Sequence, residues 1–115
     1  MSWWVYLQKN DVSVTVGRHS EGGTQVVRGM DEAELNITYN YSPLYYKCLD
    51  ADHGLRWLHG KQAKDCIKKL QEAVEALGVR QYKDYWAPTL GNAGHALDVL
   101  LGWAKLHPEA IFLVS

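Results

Sequence analysis

Hydrophobic and polar residues alternate with a period of two over the first third of the chain and recur at three- and four-residue steps over the rest. Residues 3–7 (Trp-Trp-Val-Tyr-Leu) and 12–16 (Val-Ser-Val-Thr-Val) are rich in β-formers, and Lys9, Asn10 and Asp11 between them are turn formers, which predicts a hairpin. Val12, Val14 and Val16 alternate with Ser13 and Thr15, so one face of that second strand should be buried and the other wet. Residues 17–23 read as a polar loop, 24–28 as a third short strand and 29–32 as a turn. Residues 33–41 then alternate, with Leu35, Ile37, Tyr39 and Tyr41 on one side and Glu34, Asn36, Thr38 and Asn40 on the other, predicting a fourth strand. The connections are too short for parallel crossovers, so the pairing should be antiparallel.

Ser42 and Pro43 form a helix opening, with Ser as N-cap and Pro in the first turn of a short helix that breaks at residues 50–54. One further turn is expected at residues 55–59. From Lys61 onward, Ala63, Cys66, Ile67, Leu70, Ala73, Val74 and Leu77 mark one face of a long amphipathic helix, with Gly78 placed to end it. Its outer face carries both signs of charge and reads as solvated. A loop of about a dozen residues, long for a small domain, leads to a last helix over 92–106. There Ala93, Ala96, Leu97, Leu100, Leu101 and Ala104 share a face, Asn92 is the expected N-cap, and Pro108 follows the end. Residues 110–114 close as a strand. The order predicts a single α+β domain over residues 1–115, an antiparallel sheet of four to five strands with two main helices packed on one face.

Charge and cysteine content narrow the function. Twelve Lys and Arg against thirteen Asp and Glu leave no global charge for bulk nucleic-acid or membrane-surface binding. Cys48 and Cys66 sit in apolar-periodic contexts, so reduced thiols and a cytoplasmic location are expected rather than a disulfide. No leader pattern and no membrane-spanning run is evident. The five histidines show no metal-ligand spacing, neither cysteine has a polar setting that would make it a nucleophile, and no phosphate-loop signature follows Gly91. Neither a metal nor a cofactor is expected, and the chain reads as a non-enzyme. Five Trp and seven Tyr against one Phe favour rings with a polar tip, as interfaces and ligand pockets use them. The rings of the first strand (Trp3, Trp4, Tyr6) and the last strand, ending at Val114, suggest a sheet edge without blunting residues, and hence a homo-oligomer.

The candidate site residues fall in three places. Residues 84–104 place Tyr85 and Trp86 in a loop held by Pro88 and Gly91, beside a helix N-terminus whose free N–H groups favour an anion. Asn92, Gly94 and His95 would contact that anion, with the glycines allowing close approach and the helix dipole lowering the pKa of His95. Arg56, Trp57, His59 and Lys61 lie within six residues and supply a guanidinium fork, a ring and further donors. Of these, Arg56, His59 and Lys61 are candidate ligand contacts, whereas Trp57 reads as turned toward the core. Tyr39 and Tyr41, near Tyr45 and Tyr46, could stack on a base or fill the core.

The segments Ile37-Thr-Tyr-Asn-Tyr-Ser42, Gly54-Leu-Arg-Trp-Leu-His-Gly-Lys61 and Asp84-Tyr-Trp-Ala-Pro-Thr-Leu-Gly-Asn-Ala-Gly94, with His107-Pro108, resemble a family of small bacteriophage- and prophage-encoded proteins over roughly residues 35–115. The resemblance implies a phage context inside an infected bacterial cell and carries no activity with it. A host-defence antagonist is the role it suggests. The leading expectation is a non-enzymatic sponge for a small anionic, nucleotide-derived signalling molecule. The alternatives are an inhibitor that covers a host protein and, least favoured, a hydrolase using His59 or His95.

Overall fold

The computed structural model describes residues 2–16, 24–26, 32–84 and 86–115. Among these residues five strands form one antiparallel sheet: β1 (Ser2–Lys9), β2 (Val12–Ser13), β3 (Thr24–Val26), β4 (Glu34–Thr38) and β5 (Ile111–Val114). Asn10 and Asp11 form the two-residue turn of the β1–β2 hairpin, both with positive φ (55° and 64°), a conformation that Asn and Asp tolerate better than most residues. Leu7 donates to Ala33 and accepts from Val14, so β4 and β2 lie along the same edge of β1, while Trp4 exchanges both of its main-chain bonds with Ser115 on the opposite edge.

The first strand, expected from its β-formers, alternates between two faces. Trp3, Val5 and Leu7 are buried, and the register aligns them with Ile37 and Leu35 of β4 and with Phe112 and Val114 of β5, giving one continuous apolar face. Trp4, Tyr6 and Leu113 lie half-buried on the other face, where Asn36 is also buried and donates to Ser2 Oγ and the Trp3 carbonyl at 2.7 and 3.1 Å. In the second strand only Val14 and Val16 pack on the core, and Val12, opposite Lys9 at the hairpin end, is exposed.

Among the described residues three α-helices, rather than the two main ones expected, accompany the sheet: α1 (Ser42–Cys48), α2 (Ile67–Leu77) and α3 (Leu90–Leu106). The fourth strand stops at Thr38, because residues Tyr39–Tyr41 form a 3-10 turn whose first free N–H, that of Asn40, is accepted by Thr38 Oγ1. Ser42 therefore sits inside a continuing helical path and does not cap α1. Trp3 packs edge-on against Tyr39, with centroids 4.7 Å apart, and Tyr41 and Tyr45 meet edge-to-face at 6.0 Å. The buried Tyr45 hydroxyl donates to the Ala93 carbonyl, tying α1 to α3.

The amphipathic pattern that begins at Lys61 becomes an α-helix only at Ile67. The Gly60, Ala63 and Lys64 amides bond to the carbonyls of Phe112, Ala110 and Pro108, and Phe112 donates back to Lys61, so this stretch runs along the outer edge of β5. Tertiary pairing here outweighs helical periodicity. It also corrects the expectation of an open ring-rich edge: β1 is an interior strand, and β5 is covered by residues 59–63. Helices α2 and α3 pack antiparallel, with Gly94 against Gly78 at one end and Lys105 reaching Gln71 further along. No described helix is long and apolar enough to cross a membrane.

Candidate functional site

The 3-10 turn Gly54–Leu58 begins at Gly54, whose φ of +57° lies in the left-handed region. The turn buries Leu55 and Leu58 and leaves Arg56 and His59 exposed. Both exposed residues are fixed to the end of β5. The His59 Nδ1 accepts the Val114 N–H at 3.0 Å, and an Arg56 guanidinium nitrogen donates to the Val114 carbonyl at 3.3 Å. A neutral His59 accepting at Nδ1 carries its proton on Nε2, so it presents a donor at its other nitrogen. Lys61 Nζ donates to the Trp57 carbonyl and stands 4.5 Å from the centre of the Trp57 ring.

Arg56, Trp57, His59 and Lys61 line a single open concavity of about 430 Å³, together with Asp50, Asp52 and His53. The sequence therefore brings together here three of its candidate contacts, and Trp57, only half-buried, borders the cavity instead of turning fully inward. The ring is not an open stacking platform, however, because Lys69 Nζ also stands 4.2 Å from its centre. Trp57 holds two ammonium groups near one patch of surface by cation–π contact.

Asp50 was not foreseen from the sequence. Its carboxylate accepts from Lys69 at 2.8 Å and from the His53 N–H at 2.9 Å, with His53 Nδ1 3.1 Å away. The Lys69 bond, followed by those of His53, outweighs partial desolvation and holds the Asp50 carboxyl well below the usual carboxylate range. Asp50 thus stays ionised but internally paired. Asp52 is exposed on the same rim, so a ligand that offers both an anionic group and hydroxyl donors would match the lining best.

The candidates around the start of α3 lie elsewhere. Thr89, not Asn92, is the N-cap, its Oγ1 accepting the Asn92 N–H at 3.2 Å. The Asn92 side chain is fully buried, accepting from the Tyr82 N–H at 2.8 Å and donating to the Asp84 and Ala87 carbonyls, both at 3.0 Å. Its amide is occupied in holding the preceding loop. Gly91 and Gly94 also serve that loop, since a Cβ at either would lie 1.8 Å from the Arg80 carbonyl oxygen or 1.7 Å from that of Gly78. The close approach these glycines permit is made by the chain itself. Trp86 remains largely exposed, its N–H bonded to Asp84 and its carbonyl to the Asn40 side chain. Tyr85 lies outside the described residues. His95 is half-buried, and desolvation lowers its pKa, opposed by nearby Asp98, so the expected direction holds with burial as the cause.

Tyr41 is fully buried and Tyr39 half-buried. Burial and then Asp84 push the Tyr41 hydroxyl above its ordinary range, and burial does the same for Tyr45. No described cavity joins the tyrosines, the α3 entry and the Arg56 cluster. Among the described residues no group of His, Cys, Asp and Glu is placed to hold a metal. No protein-family model, curated protein or solved structure matches the chain, so the geometry of these residues is what a functional reading rests on.

Proposed function

We propose that the protein is a non-catalytic binding protein that sequesters a small phosphorylated ligand, of the sugar-phosphate or nucleotide class, in the concavity bounded by Arg56, Trp57, His59 and Lys61. One observation carries this reading. Arg56 and His59 are held against the Val114 main chain, so their remaining donors stand in place beside Lys61 before any ligand arrives, and preorganisation lowers the cost of binding. The guanidinium and ammonium groups suit a phosphate, and Asp52 suits the hydroxyls of an attached sugar. Because two lysines already stand against the Trp57 ring, the phosphate and sugar carry the recognition and base stacking contributes little. The phage setting and the anti-defence role come only from the sequence resemblance and stand as proposals beside this one.

Thermal shift with inorganic phosphate, ribose 5-phosphate and adenosine monophosphate tests the reading. A ligand present at about a hundred times its dissociation constant adds roughly 2.7 kcal/mol to stability. The shift should be larger for the sugar phosphates than for phosphate alone. It should fall at least tenfold in apparent affinity in Arg56→Gln, which removes the charge while keeping a polar side chain. No shift with any of the three, or a shift that Arg56→Gln leaves intact, would sink the proposal.

A further inference from the structure

The surface beside the start of α3 is independent of the Arg56 cavity and carries a different inference. Val79, Tyr82, Trp86 and Leu90 are 46%, 61%, 44% and 55% exposed, and they make up half of the eight large hydrophobic residues exposed among those described. All four fall within one twelve-residue stretch. Between this stretch and α3 lies a groove of about 550 Å³, larger than the Arg56 concavity, lined by Leu77, Arg80, Tyr82, Lys83, Thr89 and Gly91 among others. Its lining includes two cations and no carboxylate.

The stretch is also built to hold its shape. Asn92 fastens it at Tyr82, Asp84 and Ala87, and the missing side chains of Gly91 and Gly94 let its main chain lie directly on the helix. A segment this tightly anchored could have folded Tyr82 and Trp86 inward, yet both are exposed. An apolar surface displayed on a fixed frame is the usual form of a docking site. We propose that this groove docks a short acidic segment of a partner protein, an apolar side chain covering Tyr82 and its carboxylates meeting Arg80 and Lys83. Charge complementarity decides the occupant: a basic or neutral segment would leave both cations unmatched. A nucleic acid would need a wider field of cations than these two, on a chain whose net charge is −1.

The test is a selection of displayed random peptides on the full-length chain, followed by fluorescence polarisation with the enriched sequence as a labelled synthetic peptide. Enriched sequences should combine Asp or Glu with Leu, Ile or aromatic residues. Their affinity should fall at least tenfold in the exposed double substitution Arg80→Glu/Lys83→Glu and in Tyr82→Ala, each with an unchanged melting temperature, and it should weaken as salt rises. Leu106→Ala, at an exposed apolar residue on the far end of α3, should leave it unaltered. Failure to enrich any sequence, enrichment of basic sequences, or binding insensitive to the double substitution would overturn the proposal. So would tighter binding of labelled oligothymidylate, or phosphate-induced NMR shifts around residues 80–91 without peptide binding, which would assign the groove to nucleic acid or to a free anion.

Discussion

Single glycines on α3 are expected to respond to the same substitution with opposite signs. Gly102 is exposed, and a Cβ there meets nothing within 4 Å, so Gly102→Ala should gain the helix-propensity difference of about 1 kcal/mol and raise the melting temperature by a few degrees. Gly94→Ala gains the same propensity, but its Cβ would fall 1.7 Å from the Gly78 carbonyl oxygen, and main chain cannot turn aside as a flexible side chain can. Steric displacement should win, with a net loss of about 3 kcal/mol. Parallel thermal melts of the two variants check the contrast, and a stabilised Gly94→Ala would mean that the loop is not anchored there. Cys66 offers a chemical probe at the same scale. Burial pushes its thiol up to about 11, so in the native protein it should react with a disulfide reagent far more slowly than after unfolding.

At the scale of elements, two side chains hold the proposed sites in place. Asn92→Ala should cost about 3 kcal/mol, more than the ~1 kcal/mol of a lost cap, because it removes one acceptor and two donors from main-chain groups of the loop. A loss no greater than that of a cap would show that water replaces the amide. At β5, His59→Ala should raise the hydrogen-exchange rate of the Val114 amide by at least tenfold while leaving that of Phe112, bonded to the Lys61 carbonyl, nearly unchanged. These contacts also mark the limit of what could be read from the residues. The hairpin turn, the apolar faces of α2 and α3, the break at Gly78 and the closing strand are local patterns and were legible. The strand-like course of residues 60–63 depends on partners tens of residues away, whereas the early end of β4 at Thr38 and the use of Asn92 rest on side-chain bonds to main chain two to ten residues away that no periodicity reveals. The Arg56 cluster was legible as chemistry because its members are close in sequence. Asp50 and Lys69 join it only through the packing of α2, and no spacing rule connects them.

For the molecule as a whole, the paired Asp50 links acid stability to the packing of α2. Its folded-state pKa is depressed below the ordinary 3.8, so its stabilising contribution is present above that value and is lost as the pH falls through the lower folded value. Asp50→Asn should therefore lower stability at pH 7 and flatten its decline below about pH 4, and chemical denaturation across that range checks both. An identical acid slope in the two proteins would mean that other carboxylates control the transition. Self-association, expected from an open edge at β1 or β5, loses that route, since β1 is flanked on both sides and β5 is covered by residues 59–63.

The central position of β1 also orders events in time. During synthesis Trp4 emerges more than a hundred residues before β5 and its own partner Ser115, so one margin of the strand stays unsatisfied until nearly the whole described chain has left the ribosome. Until then its N–H and C=O groups, beside the rings of Trp4 and Tyr6, offer a template to any neighbouring nascent chain. A chain released after Pro108 would retain α2 and α3 in full and still lack the segment that seals this margin. It should accumulate as aggregate rather than as a slightly weakened monomer, which gives residues 111–115 a protective role out of proportion to the area they bury.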